Sequence, residues 1–284
     1  MAAQRPSPLV GNVSDTARWV AIYRAWESAR PDALFHDPFA QRLAGERGAA
    51  IAAAVPRTAR SGWPMIARTK LIDDLVVANV RDGCDRVVNL AAGLDTRPYR
   101  LPLPPTLSWV EADLPAMIEE KTRLLADATP VCQLSREAVD LADANARRAF
   151  LARVSSGATR VLVITEGLLG YLTDDVVRSL SGDVAAQPAI HAWILDLFSP
   201  AIRDMMQRGM GDELSRAPLI FAPSNGVAFF EALGWKVARI ESIFHAASRF
   251  RRLPLVLRLF ALLPSPDPRN IGTQRWSAVV ELRR

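Results

Sequence analysis

RVVNLAAGLDTRP, residues 86–98, is the stretch whose reading decides the fold. Its first half is a short β-branched apolar run of buried-strand length. Its second half turns through Gly93 into Asp95, Thr96 and Pro98, residues that end strands and open turns. Three further runs share this texture: LSWVE (107–111), RVLVIT (160–165) and HAWILDL (191–197). Helical patterns fill the gaps, over 115–126, 138–154 and 174–186. Strands alternating with helices require right-handed crossovers and a mostly parallel sheet covered on both faces. The predicted fold class is therefore α/β, a doubly wound, Rossmann-like sheet. Two later strands, 236–240 and 276–282, are separated by a segment that reads as a long helical stretch. Upstream, residues 15–29 place Trp19, Ile22, Tyr23 and Trp26 at helical spacing behind Ser14 and Asp15. Residues 67–80 form a second helix with Leu71, Leu75 and Val76 on one face and Arg68 near its start.

Composition narrows the class of function. Half of the 284 residues are apolar and 23% are charged, the balance of a folded globular chain. The net charge of +5 rests almost wholly on arginine, because only Lys70, Lys121 and Lys236 are lysines. Outside 249–258 no basic stripe is interleaved with aromatics, so a nucleic-acid partner is not expected. Cys84 and Cys132 lack CxxC spacing and read as reduced thiols without a metal. Residues 1–8 do not read as a secretory leader, and the longest apolar stretch, 253–263, is short and broken by Pro254 and Arg258. A cytoplasmic single-domain enzyme with no membrane span is expected over 1–284.

In an open α/β sheet, ligands bind beyond the carboxyl ends of the strands. Gly93 follows the first strand, where a missing side chain serves either a turn or the close approach of a ligand. Asp113 ends the second strand, 20 residues beyond Gly93, the offset at which a βαβ unit offers a carboxylate to a ribose. It is also placed to cap the helix opening at Pro115. With one glycine where a pyrophosphate site uses three, and Asp95 adding negative charge or capping the next helix, a dinucleotide is disfavoured. A cationic nucleoside such as S-adenosylmethionine suits the site better. Asp140 and Leu141 fall where an adenine amino group and ring face would lie. Glu166 and Tyr171 follow the fourth strand, and an acid seldom ends an apolar run without a partner.

These residues sit in blocks that resemble the leucine carboxyl methyltransferase family, which includes actinobacterial S-adenosylmethionine-dependent and polyketide carboxyl O-methyltransferases. The blocks are TARWVAIYRAWESARPDALFHDPFAQRL (16–43), ARTKLIDD (67–74), VVNLAAGLDTRPYRL (87–101), WVEADLP (109–115) and VLVITEGLLGYL (161–172). The resemblance implies a class I methyltransferase fold. In it Arg68 would hold the cofactor's carboxylate, Ala91, Gly93 and Asp95 would line its amino-acid end, and Asp113 would take the ribose. Asp140 and Leu141 would frame the adenine, Glu166 would face the amino group, and Tyr171 would face methyl transfer. The chain departs from the family's LGAG by reading LAAG over 90–93. Ala91 is compatible with the cofactor only if that position keeps φ below zero and leaves room for the ligand; otherwise cofactor affinity is weakened.

The resemblance divides the chain into an N-terminal helical extension (1–82), a cofactor-binding core (83–200) and substrate lids (201–226 and 244–274). The expected reaction is in-line methyl transfer to the carboxylate of a small apolar or aromatic, polyketide-like acid, with no metal. A carboxylate, ionised at neutral pH, needs no base, whereas a phenol would need one, and His245 is the candidate. A protein C-terminal carboxylate, or a cofactor-binding protein of little activity, are the other readings. Met205, Met206 and Met210 suit an adaptable lid. The basic-apolar segment 248–264 reads as a lid packed on the domain or as a membrane-surface helix.

Overall fold

The computed structural model describes residues 13–54, 61–210 and 218–284. The deciding stretch forms β1 (Arg86–Leu90), buried after its first residue, as a strand covered on both faces must be. It pairs in parallel with β2 (Ser108–Asp113) on one side and β4 (Val161–Thr165) on the other. Beyond these lie β3 (Gln133–Ala138) and β5 (Ile190–Phe198), also parallel. β7 (Ser277–Arg283) inserts antiparallel between β5 and the edge strand β6 (Lys236–Ser242). The order β3-β2-β1-β4-β5-β7-β6 is the predicted doubly wound sheet. It reverses between β1 and β4, which opens a crevice at their carboxyl ends.

The helices are α1 (Val13–Ser28), α2 (Ala40–Ala54), α3 (Trp63–Arg81), α4 (Arg97–Arg100), α5 (Pro115–Leu124), α6 (Ala144–Ser155), α7 (Asp174–Ala185), α8 (Pro200–Met210), α9 (Ala228–Glu231), α10 (Ile243–Arg249) and α11 (Leu255–Arg258). Strand alternation sends Val88, Val163 and Trp193 to one face of the sheet, against Phe150, Leu180 and Phe230 of α6, α7 and α9. Val87, Leu162 and Ile194 go to the other, against Leu71 and Leu75 of α3 and Ala246 of α10. A third cluster joins α1 to α2 and reaches Leu94 and Met117. In α1, Trp19, Ile22 and Tyr23 are buried, but Trp26 is 44% exposed, so the aromatic stripe is narrower than its spacing predicts.

Three expectations need correction. The helix predicted over 138–154 is instead a strand ending at Ala138, a turn, and α6. Asp143 stops the helix from extending backwards, because its carboxylate accepts from the amides of Asn145 and Ala146 as an N-cap. The segment between β6 and β7 is not one long helix; α10 ends at Arg249, where Arg251 turns left-handed at φ 58°, and after Pro254 short turns of helix separated by irregular chain follow. Helix α2 went unrecognised, since its alanine-rich sequence carries little apolar period. The expectations placed on residues 1–8 and on the Met210 side chain lie outside the described residues.

The Trp193 indole N–H donates to Thr165 Oγ1 at 2.9 Å within the sheet, both side chains buried. Replacing Thr165→Val keeps the shape and strands that donor, so denaturant unfolding should show a loss of about 1–3 kcal/mol. An unchanged midpoint would mean the hydrogen bond is dispensable.

Candidate functional site

Below the crevice lies a buried ion cluster assembled from separate elements. The Arg97 guanidinium at the start of α4 donates Nε to Asp73 at 2.7 Å, and Nη1 to Asp95 at 2.9 Å and Glu166 at 2.8 Å. Arg68 on α3 donates Nε to the other oxygen of Glu166 at 3.0 Å and Nη1 to Asp196 at 2.9 Å. Arg100 forks onto Asp73 at 2.6 and 2.8 Å. These seven side chains form one connected unit of three cations and four anions, so one negative charge is left over. Burial alone would push the Glu166 carboxyl up, but Arg97 and Arg68 outweigh it and hold it below its usual value. Asp95 is driven well below the carboxylate range against the same burial by Arg97, Lys121 and Arg100. Asn89 and the Arg97 amide complete the Asp95 shell at 2.7 and 2.9 Å.

Above this cluster the turn after β1 presents its backbone. Ala91 has φ 52°, so the condition set for its compatibility with the cofactor, φ below zero, is not met. An alanine there costs about 1–2 kcal/mol relative to the right-handed region, held by the Ala92 amide donating to Ala112 and by Asp95 closing onto the Ala92 carbonyl. Gly93 has φ 48°, and a Cβ built on it would meet only Ala17 at 3.4 Å, so the space beside it is open. Its amide donates to Asp113 Oδ2 at 2.7 Å, while Oδ1 accepts from Leu114 at 2.8 Å. Asp113 is not the cap of α5, whose N-cap is Leu114. Burial raises its carboxyl above 3.8, and the two amides offset only part of that. Across the opening, Asp140 accepts from the Ala142 amide at 2.9 Å. Buried Arg147, tied to Asp183, holds the Leu141 carbonyl at 2.7 Å.

The structure brings all of the sequence-predicted site residues to one cavity of about 1190 Å³, whose lining is mainly apolar. Its lining includes Arg68, Ala91, Gly93, Asp95, Asp113, Asp140, Leu141 and Glu166. The same lining carries Trp63, Phe198, Met205, Met206, Leu219 and Phe244, with Tyr171 and His245. Burial pushes the Tyr171 phenol up, opposed by a hydrogen bond with Thr16 and by Arg68, so it stays protonated. Both His245 nitrogens are occupied: Nε2 lies 3.0 Å from the Leu263 carbonyl and must donate to it, and Nδ1 lies 3.0 Å from Ser242 Oγ. That histidine fastens the lid segment to α10.

Sequence reasoning missed Asp196, Arg97 and Asp37. Asp196 interrupts an apolar strand just as Glu166 ends one, the same signal that singled out Glu166. Asp37, in the HDPF stretch, accepts from Arg24 at 2.8 Å and Thr96 at 2.6 Å, while Arg24 holds the Leu94 carbonyl at 2.6 Å. The N-terminal helices thereby fix the loop that carries Gly93.

The chain matches the family model of leucine carboxyl methyltransferase over residues 17–185. A Mycolicibacterium smegmatis protein named "Putative S-adenosyl-L-methionine-dependent methyltransferase" is 33% identical over 255 residues, 81% of this chain and 85% of the relative. A relative of the same name from Mycolicibacterium paratuberculosis is 32% identical over 273 residues, 84% and 88% of the two chains. In structure, a DUF574 family protein from Streptomyces avermitilis superposes with TM-score 0.56 at 13% identity, covering 95% and 97% of the two chains. A "putative methyltransferase" from Thermobifida fusca superposes with TM-score 0.55 at 16% identity, covering 94% of each chain. At such identities the structures speak for the fold alone. The family match runs from α1 through α7 and takes in Arg68, Gly93, Asp113 and Glu166, and this chain belongs to the leucine carboxyl methyltransferase family of S-adenosylmethionine-dependent enzymes.

Proposed function

We propose that the chain transfers the methyl group of S-adenosylmethionine to the carboxylate of a small apolar acid. The observation that carries this reading is the cluster of Arg68, Arg97 and Arg100 with Asp73, Asp95, Glu166 and Asp196, one negative charge in excess, flooring an apolar cavity. S-adenosylmethionine carries a sulfonium, an ammonium and a carboxylate, a net single positive charge that the excess complements. The residues present fit it. The open space beside Gly93 lets a ligand approach the backbone, and each Asp113 oxygen retains a lone pair beyond its amide for a ribose hydroxyl. Arg68 keeps Nη2 clear of the carboxylates that take Nε and Nη1, free for a ligand carboxylate. Glu166 would accept from the ammonium, and Asp140 and Leu141 would border the adenine.

A cavity of about 1190 Å³ exceeds the roughly 300–1,000 Å³ of ordinary ligand pockets, leaving room for an acceptor beside the cofactor. When bound, the cofactor supplies an electrophilic methyl group. The chain's part is to align the acceptor oxygen with it and keep water away. Protonated Tyr171 can donate to an acceptor oxygen but cannot take a proton, and His245 spends both nitrogens on Ser242 and Leu263. An acceptor already ionised at neutral pH suits such a site, which favours a carboxylate over a phenol. The same arrangement supports the division into helical extension, cofactor core and acceptor lids.

Calorimetry with S-adenosylhomocysteine tests the placement. The wild type should bind and Gly93→Val should not, whereas equal affinities would move the cofactor elsewhere. His245→Gln, whose amide can still donate to the Leu263 carbonyl but cannot take a proton, should leave methyl transfer to a carboxylic acid within about threefold of wild type, and a collapse of turnover would install a base and a hydroxyl acceptor. Acidification separates two events. Asp113 lies above its ordinary 3.8 and protonates first as pH falls. The stabilisation from Glu166 and Asp95 is complete above their unfolded values near 4 and is lost only as pH drops through their lower folded ones. Cofactor affinity should therefore fade at a higher pH than the circular dichroism signal of the fold, and coincident loss would contradict the assignment of Asp113.

A further inference from the structure

The second lid is unlike the rest of the described surface. Leu255, Val256, Leu259, Phe260, Leu262 and Leu263 are 59–81% exposed, six of the eleven large apolar side chains that stand out into solvent among the described residues. They fall within nine consecutive positions, on α11 and the turn after it. Contiguous apolar exposure on this scale marks an interaction surface.

Charge says what the surface fits. From residue 242 to 266 the chain has four arginines and no acid. Arg249 pairs with Glu241, and Arg252 forks onto buried Glu27 of α1 at 2.7–3.1 Å, which anchors the base of the segment. Arg251 and Arg258 are exposed and have no carboxylate partner among the described residues. Arg251 turns the chain at φ 58°, and Arg258 spends only Nε, on the Leu253 carbonyl. Leucines edged by unpaired guanidiniums match the boundary between anionic headgroups and acyl chains. A second copy of this chain matches poorly, because a two-fold contact would set Arg251 and Arg258 against their own kind with no acid in the segment to receive them.

We propose that residues 251–263 dock the enzyme on the surface of an anionic bilayer. Leu257, Phe260 and Leu263 of the same segment line the cavity, so the docked face borders the acceptor chamber. On the methyl-transfer reading, to which this last step is tied, a lipophilic acid would reach the chamber from the bilayer. The docking itself does not depend on that reading.

The test is co-sedimentation of the full chain with mixed phosphatidylcholine–phosphatidylglycerol vesicles and with phosphatidylcholine alone. Wild type should bind the anionic vesicles, less at high salt, and ignore the neutral ones. Each arginine near the surface is worth roughly fivefold in partitioning, so Arg251→Glu with Arg258→Glu should lower it by at least about tenfold. Leu259→Asp with Leu262→Asp, at exposed positions off the cavity lining, should do the same. Thermal melts confirm that both variants fold. Wild type failing to bind, equal binding to neutral vesicles, or retention by either folded variant would overturn the proposal. So would a dimer in sedimentation velocity that the leucine variant dissolves. Failure to bind S-adenosylhomocysteine would strike the methyl-transfer reading and leave the vesicle result standing.

Discussion

The Arg97 guanidinium, only 2% exposed at its side chain, is the constraint on which the site depends. It receives Asp73 from α3, Asp95 from the loop after β1 and Glu166 from the end of β4, so three separately folded pieces meet at one planar fork. Such a cluster is a poor source of stability, since desolvating seven charges consumes much of what their attraction returns. Its worth is positional. Glu166 can face the cavity as a fixed, ionised carboxylate only because Arg97 and Arg68 hold its two oxygens from below.

The second constraint is the path of the β1 loop. Ala91 and Gly93 both take left-handed backbone, and the strain at Ala91 persists because its neighbours are held on every side. Ala92 bonds to β2, Asp95 is locked by Arg97 and Asn89, and Thr96 is pinned by Asp37. The N-terminal helices thus do more than cover the crevice. Through Arg24 and Asp37 they set the height of the loop, and through Glu27 and Arg252 they hold the lid segment that closes the far end.

The sheet could be read from the sequence because its strands are apolar runs bounded by Gly, Asp and Pro, signals that act locally. β3 read only as a poorly defined strand and the turns between β6 and β7 did not read at all, since half-exposed QLSREA and proline-broken RRLPLVLRLF carry no clean period. In the site, Gly93, Asp113 and Glu166 stood out by position at strand ends. The residues that organise them did not. Arg97 sits among ordinary loop residues, and its three partners lie 24, 2 and 69 positions away, distances that only the fold closes. The left-handed turn at Ala91 was not legible, because an alanine gives no sign of one.

The most direct measurement of the central claim is a crystal structure of the chain with S-adenosylhomocysteine. The ribose should lie on Asp113, the backbone of Gly93 beneath the ligand, and its amino-acid end between Glu166 and Arg68 with the Arg97 cluster unmoved. A nucleoside bound away from Gly93 and Asp113, or an Arg97 cluster that comes apart to admit it, would contradict the account.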